Sequence, residues 1–172
     1  MCIRDSLLAA DADGGAPKPG TQRAERQIID IRERYLRRLG EIVDFGTIRS
    51  ANLKIAFDPM WGASRGYSNI LLNEEGIRCA VVHDTRDVLF GGHAPEPDGE
   101  LLDDLRAKMK ETGAGIGIAC DGDADRFGIV DADGTYISPN YIIALLFDYL
   151  VETRGWRCLL YTSSHPETKH TQ

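Results

Sequence analysis

Short apolar runs alternate with segments of helical periodicity along the central part of the chain. The runs predict β-strands and lie at residues 53–57, 77–82, 115–119 and 127–130. Helical spacing of apolar residues predicts a helix over residues 64–75 and a second helix between Asp98, a candidate N-cap, and Gly113. Ser138-Pro139 is typical of the first residues of a further helix.

A first helix is predicted from about residue 22, before the strands begin. Its apolar positions recur at helical spacing, and they are Ile28, Ile31, Tyr35, Leu36 and Leu39. Gly40 is expected to end it. Strands that alternate with helices through short loops favour parallel pairing by right-handed crossovers. The predicted fold class is therefore α/β, with a mostly parallel sheet.

Charge and composition narrow the possible functions. The chain has 172 residues, with 20 Lys and Arg against 27 Asp and Glu, and its net charge of −7 argues against nucleic-acid and anionic-membrane partners. The longest apolar run, residues 141–151, is about half a bilayer span and contains Asp148, so no membrane helix is predicted. The 4 cysteines form no CxxC pair, which argues against a disulfide scaffold.

The DNA sequences that could encode the two ends of the chain are related to each other. Residues 1–5 and residues 158–162 can be encoded by opposite strands of one DNA element that resembles a sequencing adapter. We therefore expect residues 1–6 and 158–172 to be adapter-derived; the alternative is a chance resemblance of two genuine termini. Residues 7–20 are rich in Gly, Pro and small polar residues, which predicts a linker or disordered segment.

Three predicted strands are each followed closely by an aspartate. These residues are Asp58, Asp84 and Asp121. In an open α/β sheet the carboxyl ends of the strands line the ligand crevice. An acid at this position can also serve only as a helix cap or turn former, and for Asp58 and Asp84 both interpretations stay open.

The candidate chemistry is concentrated in Asp121-Gly122-Asp123-Ala124-Asp125-Arg126. On a flat strand alternate carboxylates stand roughly 7 Å apart, and on a helix positions i and i+2 do not face each other. The spacing of the acids therefore predicts a tight loop. Crowded carboxylates repel one another unless a cation lies between them, and Mg²⁺ prefers such oxygen ligands.

A calcium-binding EF-hand loop is the main alternative metal site. Counted from Asp121, its sixth position is Arg126 instead of glycine and its twelfth is Ala132 instead of glutamate, so the pattern fails. Arg126 itself has two interpretations. It either balances the local charge or, beside a metal ion, grips a phosphoryl oxygen.

Several motifs occur in the order found in one enzyme family. The acidic loop continues into Phe127-Gly128-Ile129-Val130-Asp131, and Asp133-Gly134 and Ser138-Pro139-Asn140 follow. Upstream lie Leu-Lys-Ile-Ala-Phe-Asp-Pro-Met-Trp-Gly at residues 53–62, and Phe90 with Pro95-Glu96-Pro97. Over residues 35–156 the chain resembles the α-D-phosphohexomutases, which include phosphoglucomutase and phosphomannomutase.

The resemblance implies a domain organisation. The family has four domains, and residues 51–157 resemble the second, a three-layer α/β/α domain. Residues 21–50 would then be the helical end of the first domain and its connection.

The resemblance also implies roles for individual residues. Asp121, Asp123 and Asp125 would bind Mg²⁺, and Arg126 would contact the reacting phosphate. The family moves a phosphoryl group between the 1- and 6-hydroxyls of a hexose phosphate through a phosphoserine, and its full-length enzymes are cytoplasmic. The phosphoserine loop has no counterpart in this chain, because Ser163-Ser164-His165 falls within the residues expected to be adapter-derived.

Two function classes follow for the chain. The first is a segment of a phosphohexose mutase, which is inactive by itself. The alternative is a non-catalytic α/β module that binds a divalent metal.

Overall fold

The computed structural model describes residues 27–156. The predictions for residues 1–6, 7–20 and 158–172 lie outside the described residues. The chain divides into two compact units, Met1–Ile31 and Arg32–Gln172. All described helices and strands belong to the second unit.

Five strands form one mixed sheet in the order β2-β1-β3-β4-β5. Their bounds are β1 Ile55–Asp58, β2 Cys79–Val81, β3 Ile116–Cys120, β4 Phe127–Asp131 and β5 Tyr136–Ile137. β1 pairs in parallel with both β2 and β3, as the alternation of strands and helices predicts. β4 is antiparallel to both of its neighbours, because a short loop joins it to β3 and a tight turn joins it to β5.

Helices connect and cover the strands. They are α1 Arg32–Ile42, α2 Phe45–Ser50, α3 Ser68–Glu74, α4 Asp103–Thr112 and α5 Pro139–Glu152, and two short 3₁₀ helices lie at Phe90–Gly92 and Gly99–Leu101. Gly113 ends α4 in the left-handed conformation, at φ 66°. Between residues 27 and 156, none of the helices is both long and apolar enough to cross a membrane.

One face of the sheet packs on α4. Leu105 and Met109 of this helix form a buried cluster with Ala56 of β1 and Ala119 of β3. Gly117 allows the close approach, since a Cβ atom there would lie 2.5 Å from Sδ of Met109. The small residues on this face of β1 and β3 therefore let the helix lie directly on the sheet.

The opposite face packs on the first three helices. Leu36 of α1, Phe45 of α2 and Leu71 of α3 form a second buried cluster with Ile55 and Ile77. Ile55 and Ala56 are adjacent in β1 and point to opposite faces, which explains their two clusters. Helices cover both faces of the sheet, so the predicted three-layer α/β/α fold is confirmed. The assignment of residues 21–50 to another domain stays a prediction.

Three local predictions are wrong. Ile28 and Ile31 precede the first helix and are 84% and 60% exposed, so no buried apolar face supports a helix there. Gly40 lies inside α1 and does not end it. Its φ is not positive, whereas a glycine that ends a helix commonly has a positive φ. Asp98 starts a 3₁₀ turn, and its side chain makes no capping hydrogen bond.

Candidate metal centre

The acidic motif forms the loop that joins β3 to β4. The backbone N–H of Asp121 donates to the carbonyl oxygen of Arg126 at 3.2 Å and closes the loop. Inside it, the N–H of Ala124 donates to the carbonyl of Asp121 at 3.2 Å, and Ala124 has a left-handed φ of 66°. The backbone therefore curls within a few residues, as the spacing of the acids predicts.

The curl brings the carboxylates of Asp121, Asp123 and Asp125 together. One oxygen from each lies within 4.8 Å of the others. Asp121, which directly follows β3, is 1% exposed, whereas Asp123 and Asp125 are exposed to solvent. The cluster thus has one fixed carboxylate and two that are open to a ligand.

The electrostatics of the loop show the mutual repulsion of these groups. The charge of Asp123 raises the pKa of Asp125, and partial desolvation and Asp121 act in the same direction. Burial alone would raise the pKa of Asp121, but hydrogen bonds from Arg126 outweigh burial and lower this pKa. A cation at the centre of the cluster would relieve the repulsion between Asp123 and Asp125.

Arg126 is held against the first carboxylate of the loop. Its backbone N–H donates to Oδ1 of Asp121 at 2.9 Å, and its Nε donates to Oδ2 at 3.0 Å. Its Nη1 lies 3.4 Å from Oε1 of Glu96, and 61% of the side chain remains exposed. The structure thus shows the charge-balancing contact of Arg126, while contact with a phosphate stays a prediction.

The donor set fits a small, hard divalent cation. Oxygens on opposite sides of Mg²⁺ are about 4.2 Å apart, since Mg–O bonds are about 2.1 Å, and the observed limit of 4.8 Å needs only small rotations of the exposed side chains. Each carboxylate oxygen has two lone pairs, so Asp121 can bind a cation while it accepts from Arg126. His and Cys ligands, which zinc prefers, are absent from this cluster of the described residues.

The other sequence motifs surround the acidic loop. The N–H of Ala63, in the loop after β1, donates to the carbonyl of Gly122 at 2.9 Å. The N–H of Gly122 in turn donates to the carbonyl of Pro95 at 3.1 Å. The residue that follows the motif at residues 53–62 and the motif at residues 95–97 therefore both contact the acidic loop at the carboxyl edge of the sheet.

A cavity of about 440 Å³ opens beside Arg126. Asp125, Arg126 and Phe127 line one part of it, and Glu96 and Tyr136 line another. A cavity of this size can hold a small organic molecule. Its charged lining consists of one guanidinium, which can bind an anionic group, and several carboxylates, which can accept hydrogen bonds from hydroxyl groups.

Asp58 and Asp84 do not join the cluster. The carboxylate of Asp58 is buried, accepts from the N–H of Met60 at 2.7 Å and lies 2.9 Å from Nδ1 of His83. The other ring nitrogen of His83 lies 3.1 Å from Oδ2 of Asp104. Asp84 accepts from Nδ2 of Asn69 at 3.2 Å. His83 is a site residue that the sequence did not predict, although it lies just after β2, as Asp58 and Asp121 lie at the ends of their strands.

Comparison with known proteins gives one consistent result. A sequence model of the family described as "Phosphoglucomutase/phosphomannomutase, alpha/beta/alpha domain II" matches residues 33–134. A "Probable phosphoglucosamine mutase" of Methanothermobacter thermautotrophicus is 34% identical over 118 residues, which cover 69% of this chain and 25% of the relative. A "Phosphopentomutase" of Thermococcus kodakarensis is 34% identical over 117 residues, which cover 68% of this chain and 26% of the relative.

A solved structure has the same fold. It is a phosphoglucomutase/phosphomannomutase family protein of Burkholderia thailandensis, with a TM-score of 0.62 and 28% identity, and the match covers 73% of this chain and 27% of that chain. The chain thus spans about a quarter of the length of the relatives described above.

Proposed function

Since the chain belongs to the phosphoglucomutase/phosphomannomutase family, we propose that it is a segment of a phosphohexose mutase and carries its Mg²⁺ site. The complete enzyme would interconvert hexose 1-phosphate and hexose 6-phosphate through a phosphoserine. As an enzyme of sugar-phosphate metabolism, it would act in the cytoplasm.

The convergence of the carboxylates of Asp121, Asp123 and Asp125 is the observation that carries the proposal. A loop that needed only to turn would not require acids at alternate positions, because their repulsion destabilises the turn. Asp121 would serve as the anchored ligand, since it is buried and held by Arg126. Asp123 and Asp125 would close on the cation from the solvent side.

Each part of the site would have a distinct task in phosphoryl transfer. Bound Mg²⁺ would supply charge neutralisation at the oxygens of the transferring phosphoryl group. Asp121 holds the Nε of Arg126, which leaves the terminal nitrogens of the guanidinium for a phosphoryl oxygen. Glu96 lies at 3.4 Å from Nη1 and would release it when a more strongly charged group arrives.

The cavity beside Arg126 would receive the sugar. Its volume of about 440 Å³ is in the range of pockets for small molecules. Carboxylates of Glu96 and Asp98 line it and can accept hydrogen bonds from hydroxyl groups. The proposed substrate is a hexose phosphate; relatives named phosphoglucosamine mutase and phosphopentomutase mean that the family name alone does not identify the sugar.

We propose that this chain by itself does not convert a hexose phosphate. It spans about a quarter of the length of the relatives described above, and phosphoryl transfer depends on groups positioned around the reacting phosphate. The metal loop supplies one of these groups. The nucleophilic phosphoserine is not among the residues we assign to the site.

A domain exchange tests the proposal on a complete enzyme. Residues 33–134 would replace the matching segment of the Burkholderia thailandensis protein, and conversion of glucose 1-phosphate would be measured in a coupled assay with Mg²⁺ and glucose 1,6-bisphosphate. We expect an active chimera that loses activity with Asp123→Asn and keeps it with Asp133→Asn, an exposed acid of the next turn. A folded chimera whose activity survives Asp123→Asn would contradict the proposal.

A further inference from the structure

A second cavity lies at the carboxyl edge of the sheet and shares a wall with the metal loop. It has a volume of about 320 Å³. Loops that follow β1, β2 and β3 line it, since Gly62, Arg86 and Gly122 all contribute. Gly122 stands between two of the proposed metal ligands in the chain. The cavity is therefore next to the metal loop and distinct from the cavity beside Arg126.

Two positively charged guanidinium groups line this cavity. Arg65 comes from the loop after β1, and Arg86 comes from the loop after β2. A hydrogen bond from Nη1 of Arg65 to the carbonyl oxygen of Trp61 fixes the direction of the first side chain. Arg86 makes no hydrogen bond or ion pair within the part of the chain that the structure describes, and it is exposed. One guanidinium is thus held in place, and the other is free to close on a ligand.

The one carboxylate in the lining is already engaged. Asp87 accepts from the N–H of Leu89 at 2.9 Å and from the N–H of Gly91 at 3.0 Å. These bonds hold the turn that carries Phe90, so Asp87 does not pair with either arginine. The charge of the lining, with two guanidiniums against one engaged carboxylate, favours an anion.

The remaining lining is apolar. Trp61, Val88 and Phe90 contribute to the cavity wall. The Trp61 ring is fixed on one side by stacking on His83, with ring centroids 3.7 Å apart. A Cβ atom at Gly91 would lie 2.4 Å from the same ring, so the indole cannot turn toward that loop. A rigid aromatic surface beside two guanidiniums suits a ligand with an anionic end and a compact body that has C–H faces.

We propose that Arg65 and Arg86 form a second anion subsite, separate from the cavity beside Arg126, that binds the phosphate group of a further sugar-phosphate molecule whose body lies along Trp61. Guanidinium groups bind phosphate oxygens through paired N–H donors, and two of them can hold one dianion from two sides. The identity of the ligand as a sugar phosphate rests on the proposed function. The binding of an anion rests only on the residues of this cavity.

The indole N–H of Trp61 provides a direct readout of this cavity by ¹H–¹⁵N NMR. The chain has 2 tryptophans, and Trp156 is not part of the cavity lining, so it serves as an internal reference. The titrants are potassium phosphate, glucose 6-phosphate and, at matched ionic strength, potassium chloride. EDTA in every sample keeps the metal loop free of divalent cations. We expect a saturable shift of the Trp61 signal with both phosphates, at lower concentration for glucose 6-phosphate, and none with chloride.

Three glutamine variants separate the subsite from general charge effects. Arg65→Gln and Arg86→Gln should each weaken phosphate binding by about tenfold or more, since hydrogen bonds to charged groups are strong. Arg78→Gln is the matched control, because Arg78 is exposed and does not line the cavity. Arg86 has no partner in the described residues, so Arg86→Gln is expected to fold even if Arg65→Gln does not.

The outcomes distinguish this inference from the proposed function. If chloride shifts Trp61 as phosphate does, or if Arg78→Gln weakens binding as much as Arg86→Gln does, the subsite is overturned. Phosphate binding that Arg86→Gln leaves unchanged also overturns it. The phosphate titrations contain EDTA and no Mg²⁺, so they do not depend on the metal site. A failure of Mg²⁺ binding in a separate titration would contradict the proposed metal site alone.

Discussion

Arg126 binds both carboxylate oxygens of Asp121, through its backbone N–H at 2.9 Å and its Nε at 3.0 Å. The two residues stand at opposite ends of the acidic loop, so the contact closes the loop a second time beside the backbone bond. The positive charge of Arg126 also compensates the negative charge of the Asp121 carboxylate, which is 1% exposed. The same pair thus stabilises the turn and anchors the proposed metal ligand.

Replacement of Arg126 by Gln should destabilise the fold, and Mg²⁺ should restore part of the loss. The change leaves the buried carboxylate of Asp121 with a backbone donor and without its cation. A bound Mg²⁺ supplies positive charge at the same place and stabilises the folded state by linkage. Urea unfolding with and without Mg²⁺ measures both effects.

Arg38→Gln is the control for that measurement. Arg38 pairs with Glu41 at 2.7 Å on an exposed helix surface, where such pairs contribute little. We expect a smaller loss of stability than with Arg126→Gln and no restoration by Mg²⁺. Equal losses in the two variants, with no effect of Mg²⁺ on either, would contradict the role assigned to Arg126.

Gly62→Ala should displace the acidic loop. A Cβ atom at this position would lie 2.6 Å from the carbonyl oxygen of Gly122 and 2.8 Å from that of Asp121. Both contacts are with backbone, which cannot rotate away, so the variant should lose about 2 kcal/mol of unfolding free energy. Its affinity for Mg²⁺ should fall as well.

Gly40→Ala provides the matched control for that variant. Gly40 lies inside α1, and the nearest atom to an added Cβ would be the Oε1 of Glu75 at 3.9 Å. Alanine is the better helix former, so the variant should gain about 0.5–1 kcal/mol. A Gly62→Ala protein as stable as the wild type, measured by urea unfolding, would show that the loops at Gly62 and Gly122 are not packed as described.

Acid should change the contributions of two aspartates to folding stability in opposite directions. Hydrogen bonds from Thr47 lower the pKa of Asp44 below 3.8, so its contribution to stability is present above that pH and is lost as the pH falls through the folded-state pKa. Burial raises the pKa of Asp58 above 3.8, although the hydrogen bond from the N–H of Met60 and the nearby His83 both act to lower it. The folded protein then binds this proton more tightly, and stability falls as pH rises above 3.8 through the folded-state pKa.

Asparagine variants isolate the two effects. As the pH falls from about 5 to about 3, the stability of the wild type relative to Asp44→Asn should decrease, and its stability relative to Asp58→Asn should increase. Urea unfolding across this range gives both differences. Trends of the same sign in the two variants would contradict the environments described for these carboxylates.

The chain as written should not convert a hexose phosphate. A metal loop alone can neutralise charge but has no donor of a phosphoryl group. A coupled assay with glucose 1-phosphate, Mg²⁺ and glucose 1,6-bisphosphate should give no rate above a blank without protein. A rate that disappears with Asp123→Ala would contradict the proposed inactivity.

The sequence predicts the parts of this molecule that depend on local pattern. Apolar runs located β1, β3 and β4 to within a few residues, and the spacing of the acids predicted the tight loop of residues 121–126. The two-residue strand β5 carries too little apolar pattern to be seen. Its existence depends on the tight turn at Asp133-Gly134, which returns the chain to β4.

Contacts that depend on tertiary structure could not be predicted from the pattern of residues along the chain. His83 and Asp58 are distant in the chain, and only the parallel pairing of β1 and β2 brings their side chains to 2.9 Å. The subsite formed by Arg65 and Arg86 depends on the same pairing, because each residue follows a different strand. The acidic loop was predictable because all of its groups lie in one short segment.

Calorimetric titration with Mg²⁺ tests the central claim most directly. It compares the wild-type chain with Asp123→Asn, which removes one proposed ligand, and with Asp133→Asn, which removes an exposed acid that holds only the next turn. We predict one saturable site in the wild type, an affinity at least about tenfold lower in Asp123→Asn, and unchanged binding in Asp133→Asn. Equal Mg²⁺ binding in all three proteins, or none in the wild type, would contradict the assignment of Asp121, Asp123 and Asp125 as a metal site.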